Sequence, residues 1–284
     1  MTDDLPILFA RVAIVGVGLM GGSLALVLQR GVLSQTVVGI DTDIESLRIA
    51  KEIGAIDEAY TDLAEGVKDA NLVIFAVPVS LVVPLMERAA PHISPNAIVT
   101  DLASVKAQIM PVGERLFGTR FVSSHPMAGS EKKGITAARA DLFEGAAWFL
   151  IAGETPEQMT NRYTKILTSM VERCGANAVL ATAENHDKLV ALVSHVPHAL
   201  SFGFARAFEQ SEMPDMARQI AGGSFRDIMR VANANPALWA DILYSNRDAL
   251  KPALDATLTE IQNVRNLLDA TDSTKLREYL EGKR

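Results

Sequence analysis

The sequence has a single cysteine and no excess of positive charge. Cys174 is the only cysteine among 284 residues, which excludes a disulfide framework and a cysteine-based metal site. We expect Cys174 to be a buried thiol rather than a nucleophile. The formal net charge of −7 argues against a nucleic-acid partner. An anionic substrate would have to be held by particular cations, because the overall field of the protein would repel it.

Long hydrophobic runs are also missing. The two longer uncharged runs are Ala70–Met86 and Leu189–Ala205, and prolines or histidines interrupt both, so that each falls short of a membrane span. The segment Met1–Ile7 is acidic and lacks the basic and apolar regions of a secretory signal. We therefore expect a soluble, cytoplasmic protein with no membrane partner.

A glycine-rich turn follows the first short apolar run of the chain. Gly16, Gly18 and Gly21 have the spacing of a dinucleotide-binding turn, and Asp41 ends the next apolar run. In a βαβ unit, the first glycine permits the turn, the second lets the backbone approach a pyrophosphate, and the third lets the helix pack on the strand. The pyrophosphate would face the N–H groups and the positive end of a helix from about Gly21 to Arg30, and Leu19 and Met20 in the turn before it are further candidate cofactor residues.

Asp41 also indicates which dinucleotide is bound. A carboxylate at the end of the second strand accepts hydrogen bonds from the ribose hydroxyls and repels a 2′-phosphate. The nearest downstream cation is Arg48, and no arginine stands where it could neutralise that phosphate. The sequence therefore favours NAD over NADP as the cofactor.

Strand-like and helical patterns alternate through the first 182 residues. This alternation predicts an α/β domain with a doubly wound, Rossmann-type parallel sheet over residues 1–182. From Glu184 onward only helical periodicity remains, which predicts an all-helical C-terminal domain over residues 183–284. The predicted strands are Arg11–Val15, Thr36–Ile40, Leu72–Val77, Ala97–Thr100, Arg120–Ser124, Trp148–Ala152 and Asn177–Ala181. Helices are predicted, among others, at Ile44–Ile53, Ser104–Phe117 and Pro156–Cys174.

Three strand ends carry candidate site residues, because ligands of such sheets bind beyond the carboxyl ends of the strands. Val77 and Pro78 would pass beside the nicotinamide half of the cofactor. Ser104 would stand where a helix begins. His125 would project from the same edge, and its imidazole can accept a proton near neutral pH. A histidine that only caps the turn before Pro126 is the alternative.

The helical domain offers further polar side chains. His195 and His198 share a helix face, and Pro197 between them cannot donate to the Val193 carbonyl, so the helix should kink there or leave that carbonyl free. These histidines could bind a polar substrate, whereas a metal pair lacks a third ligand. Arg226 or Arg230 could hold a carboxylate through a guanidinium fork, and the competing interpretation is a solvated or ion-paired arginine.

Together these segments resemble the prephenate/arogenate dehydrogenases, the TyrA enzymes of tyrosine biosynthesis. The resemblance covers nearly the whole chain. The residues that carry it are Gly16–Ser23, Asp101–Lys106, Ser124–Glu131, His186-Asp187, Ser194–His198 and Gly222–Trp239.

The resemblance implies a role for each matching position. His125 matches the catalytic histidine, and Ser104 matches the serine that orients the ring hydroxyl and the nicotinamide. Arg230 matches the arginine that binds a substrate carboxylate, a choice that spacing alone leaves open. The remaining substrate-side positions are His195, His198, Ser130 and Glu131, the last two in a loop at the pocket mouth.

The implied reaction is oxidative decarboxylation of prephenate or arogenate, with hydride transfer to NAD and release of carbon dioxide. The product is 4-hydroxyphenylpyruvate or tyrosine, and no metal is required. The resemblance also implies a homodimer through the helical domain. Nothing in the chain matches a fused chorismate mutase or regulatory domain, so any inhibition by tyrosine is expected to be competitive at the active site.

Two other functions compete with this one. A β-hydroxyacid dehydrogenase pairs an interdomain lysine with an asparagine four residues on, but here Leu192 stands four residues after Lys188. A non-catalytic NAD sensor on the same scaffold would need neither His125 nor Ser104. Turnover with a cyclohexadiene distinguishes the enzyme from both.

Overall fold

A computed structural model describes residues 6–130, 132–269 and 272–282 of the chain. These residues form two compact units. The first unit comprises the chain up to Asp187 together with Ala234–Ser245, and the second comprises Lys188–Asn233 together with the chain from Asn246. The predicted domain boundary after residue 182 stays a prediction.

Eight strands of the first unit form two sheets. The strands are β1 (Phe9–Val15), β2 (Ser34–Ile40), β3 (Glu58–Tyr60), β4 (Leu72–Phe75), β5 (Ile98–Asp101), β6 (Ser123–Pro126), β7 (Ala147–Ile151) and β8 (Asn177–Leu180). The first sheet is parallel throughout, with the order β3-β2-β1-β4-β5. The second has the order β6-β7-β8, in which β7 is antiparallel to β6 and parallel to β8. The predicted doubly wound parallel sheet is confirmed.

All seven predicted strands are present, and β3 is an additional one. Its three residues, Glu58 to Tyr60, contain no apolar run, and they become a strand by pairing with Val38–Ile40 of β2 at the sheet edge. Edge pairing of this kind is set by tertiary contact rather than by local composition. Strand β6 also continues two residues beyond the prediction, so that His125 lies within the strand, opposite Phe149.

The described residues form α-helices of four to 21 residues. They are α1 (Leu19–Arg30), α2 (Ile44–Glu52), α3 (Leu63–Val67), α4 (Val79–Ala89), α5 (Met110–Phe117), α6 (Pro156–Met159), α7 (Arg162–Arg173), α8 (Ala183–Val190), α9 (Val196–Glu209), α10 (Pro214–Gln219), α11 (Gly223–Ala232), α12 (Pro236–Ser245), α13 (Arg247–Leu267) and α14 (Thr274–Glu281). Helix α2 coincides with the predicted helix Ile44–Ile53 to within one residue.

The prediction of a helix starting at Ser104 is wrong, because α5 begins only at Met110. The backbone N–H groups of Lys106 and Ala107 donate to the Asp187 carboxylate, at 2.9 and 2.8 Å. These side-chain contacts hold Ser104 and the residues after it in a turn. Ser104 therefore lies in a shaped loop and not at a helix start.

The predicted helix Pro156–Cys174 is broken in two. Helix α6 ends at Met159, and the Asn161 side chain caps α7 by accepting from the N–H groups of Tyr163 and Thr164. An asparagine favours a cap over a helix interior because its side chain competes for backbone groups. The pattern of apolar residues continues through the break, which is why periodicity alone misses it.

The core of the first unit lies on both faces of the parallel sheet. Ile14 and Ile74 on one face of the sheet and Ala13 and Val73 on the other have no exposed surface, and Trp148 of the second sheet is equally buried. Near-continuous apolar strands are typical of a parallel sheet covered on both faces. Burial of each such side chain contributes about 1.5–3 kcal/mol to folding.

The second unit has no strand among its described residues, which confirms the predicted helical C-terminal region. Between α8 and α9 the chain forms a π-helical segment, Ala191–His195, in which the Val196 N–H donates to the Ala191 carbonyl. Pro197 lacks an N–H group and follows immediately, so that the helix shifts register rather than continuing its regular ladder. Helix α11 begins at Gly223, and its N-cap residue, Gly222, provides no side-chain cap.

No helix among the described residues is both long enough and apolar enough to cross a membrane.

Candidate active site

The glycine turn has the geometry that three glycines require. Gly16 has a φ of +95°, and a Cβ there would lie 2.4 Å from the Ala76 carbonyl oxygen. A Cβ on Gly21 would lie 2.0 Å from the Gly16 oxygen, since α1 packs directly on the turn. At Gly18, the N-cap of α1, a Cβ would meet nothing within 4 Å. Open space above the first N–H groups of a helix fits a pyrophosphate.

Asp41 lies beside this turn. Its carboxylate accepts hydrogen bonds from the N–H groups of Val17, at 2.8 Å, and Asp43, at 3.0 Å. Each carboxylate oxygen has two lone pairs, so these bonds leave acceptor capacity for ribose hydroxyls. The position agrees with the sequence interpretation, and the contact with a cofactor stays a prediction.

The other predicted cofactor residues surround the point where the strand order reverses, between β1 and β4. Leu19 and Met20 open α1 and are half-buried. Val77 follows β4, and its Cγ1 would lie 2.8 Å from a Cβ on Gly16. Pro78 is the N-cap of α4. The structure thus brings the glycine turn and the end of β4 together, at the place where open α/β sheets bind ligands.

His125 is the first member of a chain of three side chains. Its Nδ1 lies 2.9 Å from Nε2 of His186, and Nδ1 of His186 lies 2.7 Å from Oδ1 of Asp187. All three are buried, and the Phe149 ring meets His186 edge-on with the ring centroids 5.0 Å apart. We call Asp187, His186 and His125 the histidine relay.

The donors around Asp187 determine the tautomers in the relay. Both carboxylate oxygens already accept from backbone N–H groups, so Asp187 acts as an acceptor toward His186. Burial lowers the pKa of His186, opposed by its hydrogen bond to Asp187, and the ring is therefore neutral at neutral pH. A neutral His186 that donates from Nδ1 must accept at Nε2. His125 consequently donates from Nδ1 and, in its neutral form, carries its lone pair on Nε2.

A buried ion pair lies next to the relay. The Lys106 ammonium is fully buried and donates to the Asp101 carboxylate and, at 2.6 Å, to the carbonyl oxygen of Ser124. Asp101 also accepts from the Ser123 hydroxyl and, at 2.9 Å, from the Ala103 N–H. Burial lowers the pKa of Lys106, and the Asp101 carboxylate acts in the opposite direction.

Ser104 is half-buried in the turn between these two charged residues. Asp101 ends β5 and Lys106 follows five residues later, so their side-chain contact closes the turn around Ser104. The Ser124 hydroxyl, on the neighbouring strand, donates to the Asp101 carbonyl at 2.7 Å. Ser104 and His125 are thus attached to one buried polar network.

The second unit contains three of the predicted substrate residues. His195 is buried, and its Nδ1 lies 2.9 Å from the Asn246 amide nitrogen, so that Nδ1 is the acceptor. His198 donates from Nδ1 to the Ser194 carbonyl at 2.9 Å, and burial lowers its pKa. Arg230 lies on α11 with its side chain exposed. Arg226, one turn earlier, donates to the Ala221 carbonyl.

The loop after β6 contains the last two predicted substrate residues. Ser130 is exposed, and its hydroxyl accepts from the Lys132 N–H at 3.1 Å. It lines a surface cavity of about 630 Å³ together with Lys132, Lys133, Thr136, Ala137 and Arg139. Glu131 lies outside the described residues.

Sequence reasoning did not assign roles to His186, Asp187 or Lys106. His186 and Asp187 are adjacent polar residues on a predicted helix, and their burial is the signal that only the structure supplies. Lysine is almost never fully buried unless it is paired, so nothing local identifies Lys106 as an interior residue. Among the residues that the structure describes, no group of three or more His, Cys, Asp or Glu side chains could hold a metal ion.

Comparison with protein-family models matches almost the entire chain. The model described as prephenate dehydrogenase, nucleotide-binding domain, matches residues 24–180. The model described as prephenate dehydrogenase, dimerization domain, matches residues 182–282.

Individual relatives agree with the family models. The prephenate dehydrogenase of Bacillus subtilis is 32% identical over 275 residues, which cover 95% of this chain and 73% of that protein. The cyclohexadienyl dehydrogenase of Zymomonas mobilis is 31% identical over 278 residues, covering 96% of this chain and 93% of that protein.

Solved structures of the same enzymes have the same fold. Prephenate dehydrogenase from A. aeolicus, in complex with hydroxyphenyl propionate and NAD+, has a TM-score of 0.88 at 29% identity and covers 99% of this chain and 97% of its own. The Synechocystis arogenate dehydrogenase has a TM-score of 0.80 at 31% identity, with 96% of each chain covered.

Proposed function

The chain belongs to the prephenate dehydrogenase family, and from that premise we propose that it oxidatively decarboxylates prephenate or arogenate with NAD. It is an NAD-dependent dehydrogenase of tyrosine biosynthesis, and its product is 4-hydroxyphenylpyruvate or tyrosine. The observation that supports this chemistry is the histidine relay, which places a histidine base on β6 of the second sheet, in the same unit as the glycine turn of the first sheet.

His125 is the proton acceptor of the reaction. When bound, NAD supplies a hydride acceptor for the ring carbon that bears the hydroxyl group. Nε2 of His125 takes the hydroxyl proton, and the ring then loses its carboxylate as carbon dioxide and becomes aromatic. Asp187 and His186 hold the imidazole in the tautomer that can accept this proton. A positioned base of this kind contributes about 10²- to 10⁴-fold to the rate.

The other site residues bind and orient the substrate. Ser104 donates to or accepts from the same ring hydroxyl, and the turn between Asp101 and Lys106 fixes its position. Arg230 holds a substrate carboxylate through its guanidinium fork. The remaining proposed substrate contacts are His195, His198, Ser130 and Glu131.

Asp41 supports the choice of NAD over NADP. Its carboxylate lies beside the glycine turn, and its remaining lone pairs can accept from ribose hydroxyls but would repel a 2′-phosphate. The cofactor residues proposed with it are Gly16, Gly18, Leu19, Met20, Gly21, Val77 and Pro78.

The proposal also includes the assembly, the location and the regulation of the enzyme. We propose that residues 1–182 bind NAD and that residues 183–284 bind substrate and form a homodimer, which the match of residues 182–282 to a dimerization domain supports. We place the enzyme in the cytoplasm and expect tyrosine to inhibit it by competing with substrate.

Initial rates test the function. Nicotinamide reduction is measured with prephenate or arogenate against NAD or NADP, and we expect turnover in the NAD arms. The variant His125→Asn should lower kcat by about a hundredfold or more while NAD affinity stays near normal. His92→Asn, an exposed histidine, is the matched control and should turn over like the wild type. The proposed reaction would be refuted if none of the four combinations gave turnover. The proposed role of His125 would be refuted if His125→Asn were fully active.

A further inference from the structure

A buried ammonium group joins the separate parts of the candidate site. The Lys106 side chain has no exposed surface, and it contacts Asp101 at the end of β5 and the Ser124 carbonyl in β6. The substrate, as proposed above, has no need of this charge, because the proton acceptor and the carboxylate-binding arginine are other residues. The reaction as described so far gives Lys106 no role beyond closing the turn that contains Ser104.

Core stability does not account for a buried ion pair at this place. Taking both charges out of water carries a large desolvation penalty, and apolar side chains of similar volume would often be at least as stable. Val105 and Val122, the chain neighbours of Lys106 and Ser123, are both buried, so apolar side chains are accommodated in this part of the interior. The contacts that Lys106 makes are therefore the informative feature.

Those contacts attach three functional segments to one residue. The ammonium and Asp101 close the turn that contains Ser104. The bond to the Ser124 carbonyl fixes the peptide group that leads directly into His125. The backbone N–H of Lys106 donates to Oδ1 of Asp187, the oxygen that also binds His186.

We propose that Lys106 is a positioning residue that holds Ser104 and the histidine relay in their reactive arrangement. The inference rests on the proposed function, because the reaction is what requires that arrangement. Lys106 touches neither substrate nor cofactor in this account. Its ammonium acts through the shape of the turn and through the strand that carries His125.

The same geometry distinguishes positioning from a simple structural role. A structural ion pair would change the stability of the fold and leave the chemistry of the folded protein unchanged. A positioning residue changes kcat in protein that is still folded, because a displacement of about 1 Å at a reacting group can lower a rate by about a hundredfold. It also changes the proton positions in the relay, since the Asp187 contact depends on the turn.

The double variant Lys106→Met/Asp101→Asn tests the proposal. Both charges are removed together, because removal of one alone would leave the other buried and unpaired. The matched control is Arg11→Met/Glu58→Gln, which removes another ion pair of the same unit, joined at 2.7 Å, that has no contact with the relay. Measurements are the melting temperature, kcat, KM for substrate, the dissociation constant for NAD and the ring-nitrogen NMR spectrum of the five histidines.

We expect the Lys106→Met/Asp101→Asn protein to fold and to bind NAD within about threefold of the wild type, with kcat lower by about 30- to 100-fold. The His186 and His125 ring nitrogens should lose the single tautomer of the wild type. The control should keep both kcat and the spectrum. A folded double variant with wild-type kcat or an unchanged relay spectrum would overturn the proposal.

Two further observations keep the test decisive. If the double variant does not fold, Ser123→Ala takes its place, because it removes only the hydroxyl that donates to Asp101. This variant should also lower kcat, but to a smaller extent. An unchanged kcat would count against Lys106 and Asp101 as a positioning pair. If the wild type turns over neither cyclohexadiene, the proposed function fails. The spectrum of the double variant still supports or overturns the link between Lys106 and the relay.

Discussion

Replacing Asp187 by asparagine should disable the histidine relay while leaving the shape of the side chain unchanged. In the wild type, Oδ1 accepts from the Lys106 N–H and from Nδ1 of His186, and Oδ2 accepts from the Ala107 N–H. An asparagine has only one oxygen, and its NH₂ group must take the place of the other. Either orientation sets an N–H donor against a backbone N–H donor.

The two orientations of the asparagine affect His125 differently. With the NH₂ group at the Oδ1 position, His186 must accept at Nδ1, so that it donates from Nε2 and His125 accepts at Nδ1. The proton of neutral His125 then lies on Nε2, the nitrogen that should act as the base. With the NH₂ group at the Oδ2 position the relay keeps its tautomers, but the Ala107 N–H loses its acceptor, and a neutral amide replaces the carboxylate that stabilises the imidazolium formed by proton transfer.

The expected magnitudes follow from these contacts. A buried N–H left without an acceptor costs about 1–3 kcal/mol of unfolding free energy. Loss of a positioned base lowers kcat by about 10²- to 10⁴-fold. The variant should therefore be folded, moderately less stable and nearly inactive at saturating substrate.

The assay is steady-state nicotinamide reduction, together with NAD binding and urea unfolding of the same samples. Asp57→Asn is the matched control, because Asp57 also accepts from a backbone N–H, that of Val37 at 2.7 Å, and has no contact with the relay. Both hydrogen bonds of Asp57 are accepted by Oδ2, so the amide oxygen of asparagine can take that place, and we expect the control to keep its stability and its kcat. A kcat for Asp187→Asn within about threefold of the wild type, with the fold intact, would refute the role of the Asp187 carboxylate in the relay.

Two more predictions concern groups outside the site. The hydrogen bond from Arg11 lowers the pKa of Glu58 from 4.5 to about 2, so the pair stabilises the fold above about pH 4.5 and loses this effect as the pH falls toward 2. The Glu58 side chain is 39% exposed, so Glu58→Gln should lower the free energy of unfolding by no more than about 1 kcal/mol at neutral pH. Urea unfolding at a series of pH values should show no loss at the acid end. An equal loss at neutral and acid pH would contradict this. Burial raises the pKa of Cys174 to about 12, so we expect iodoacetamide to label it only in the unfolded protein, and rapid labelling of the native protein would be the contrary result.

The parts of the structure that sequence predicts well are those with a local physical cause. Gly16 needs a positive φ and Gly21 needs the absence of a Cβ, so the turn is visible in the residue types themselves. The parallel strands are apolar runs between turn residues. The shift in the helix before Pro197 follows from the missing N–H of proline.

The parts that sequence misses depend on long-range pairing. The relay joins His125 to His186, which is 61 positions away, and no spacing rule predicts that contact. The turn at Ser104 replaces a predicted helix because Asp187, far along the chain, captures its backbone N–H groups. Lys106 is a residue type that composition places at the surface, and only its partners explain its burial.

The ring-nitrogen NMR spectrum of the wild-type histidines tests the central claim most directly. Single replacements of the five histidines assign the signals. The account predicts that neutral His186 and neutral His125 both carry their proton on Nδ1, which leaves Nε2 of His125 as the basic nitrogen. A proton on Nε2 of neutral His125 would contradict the relay and its role in proton transfer.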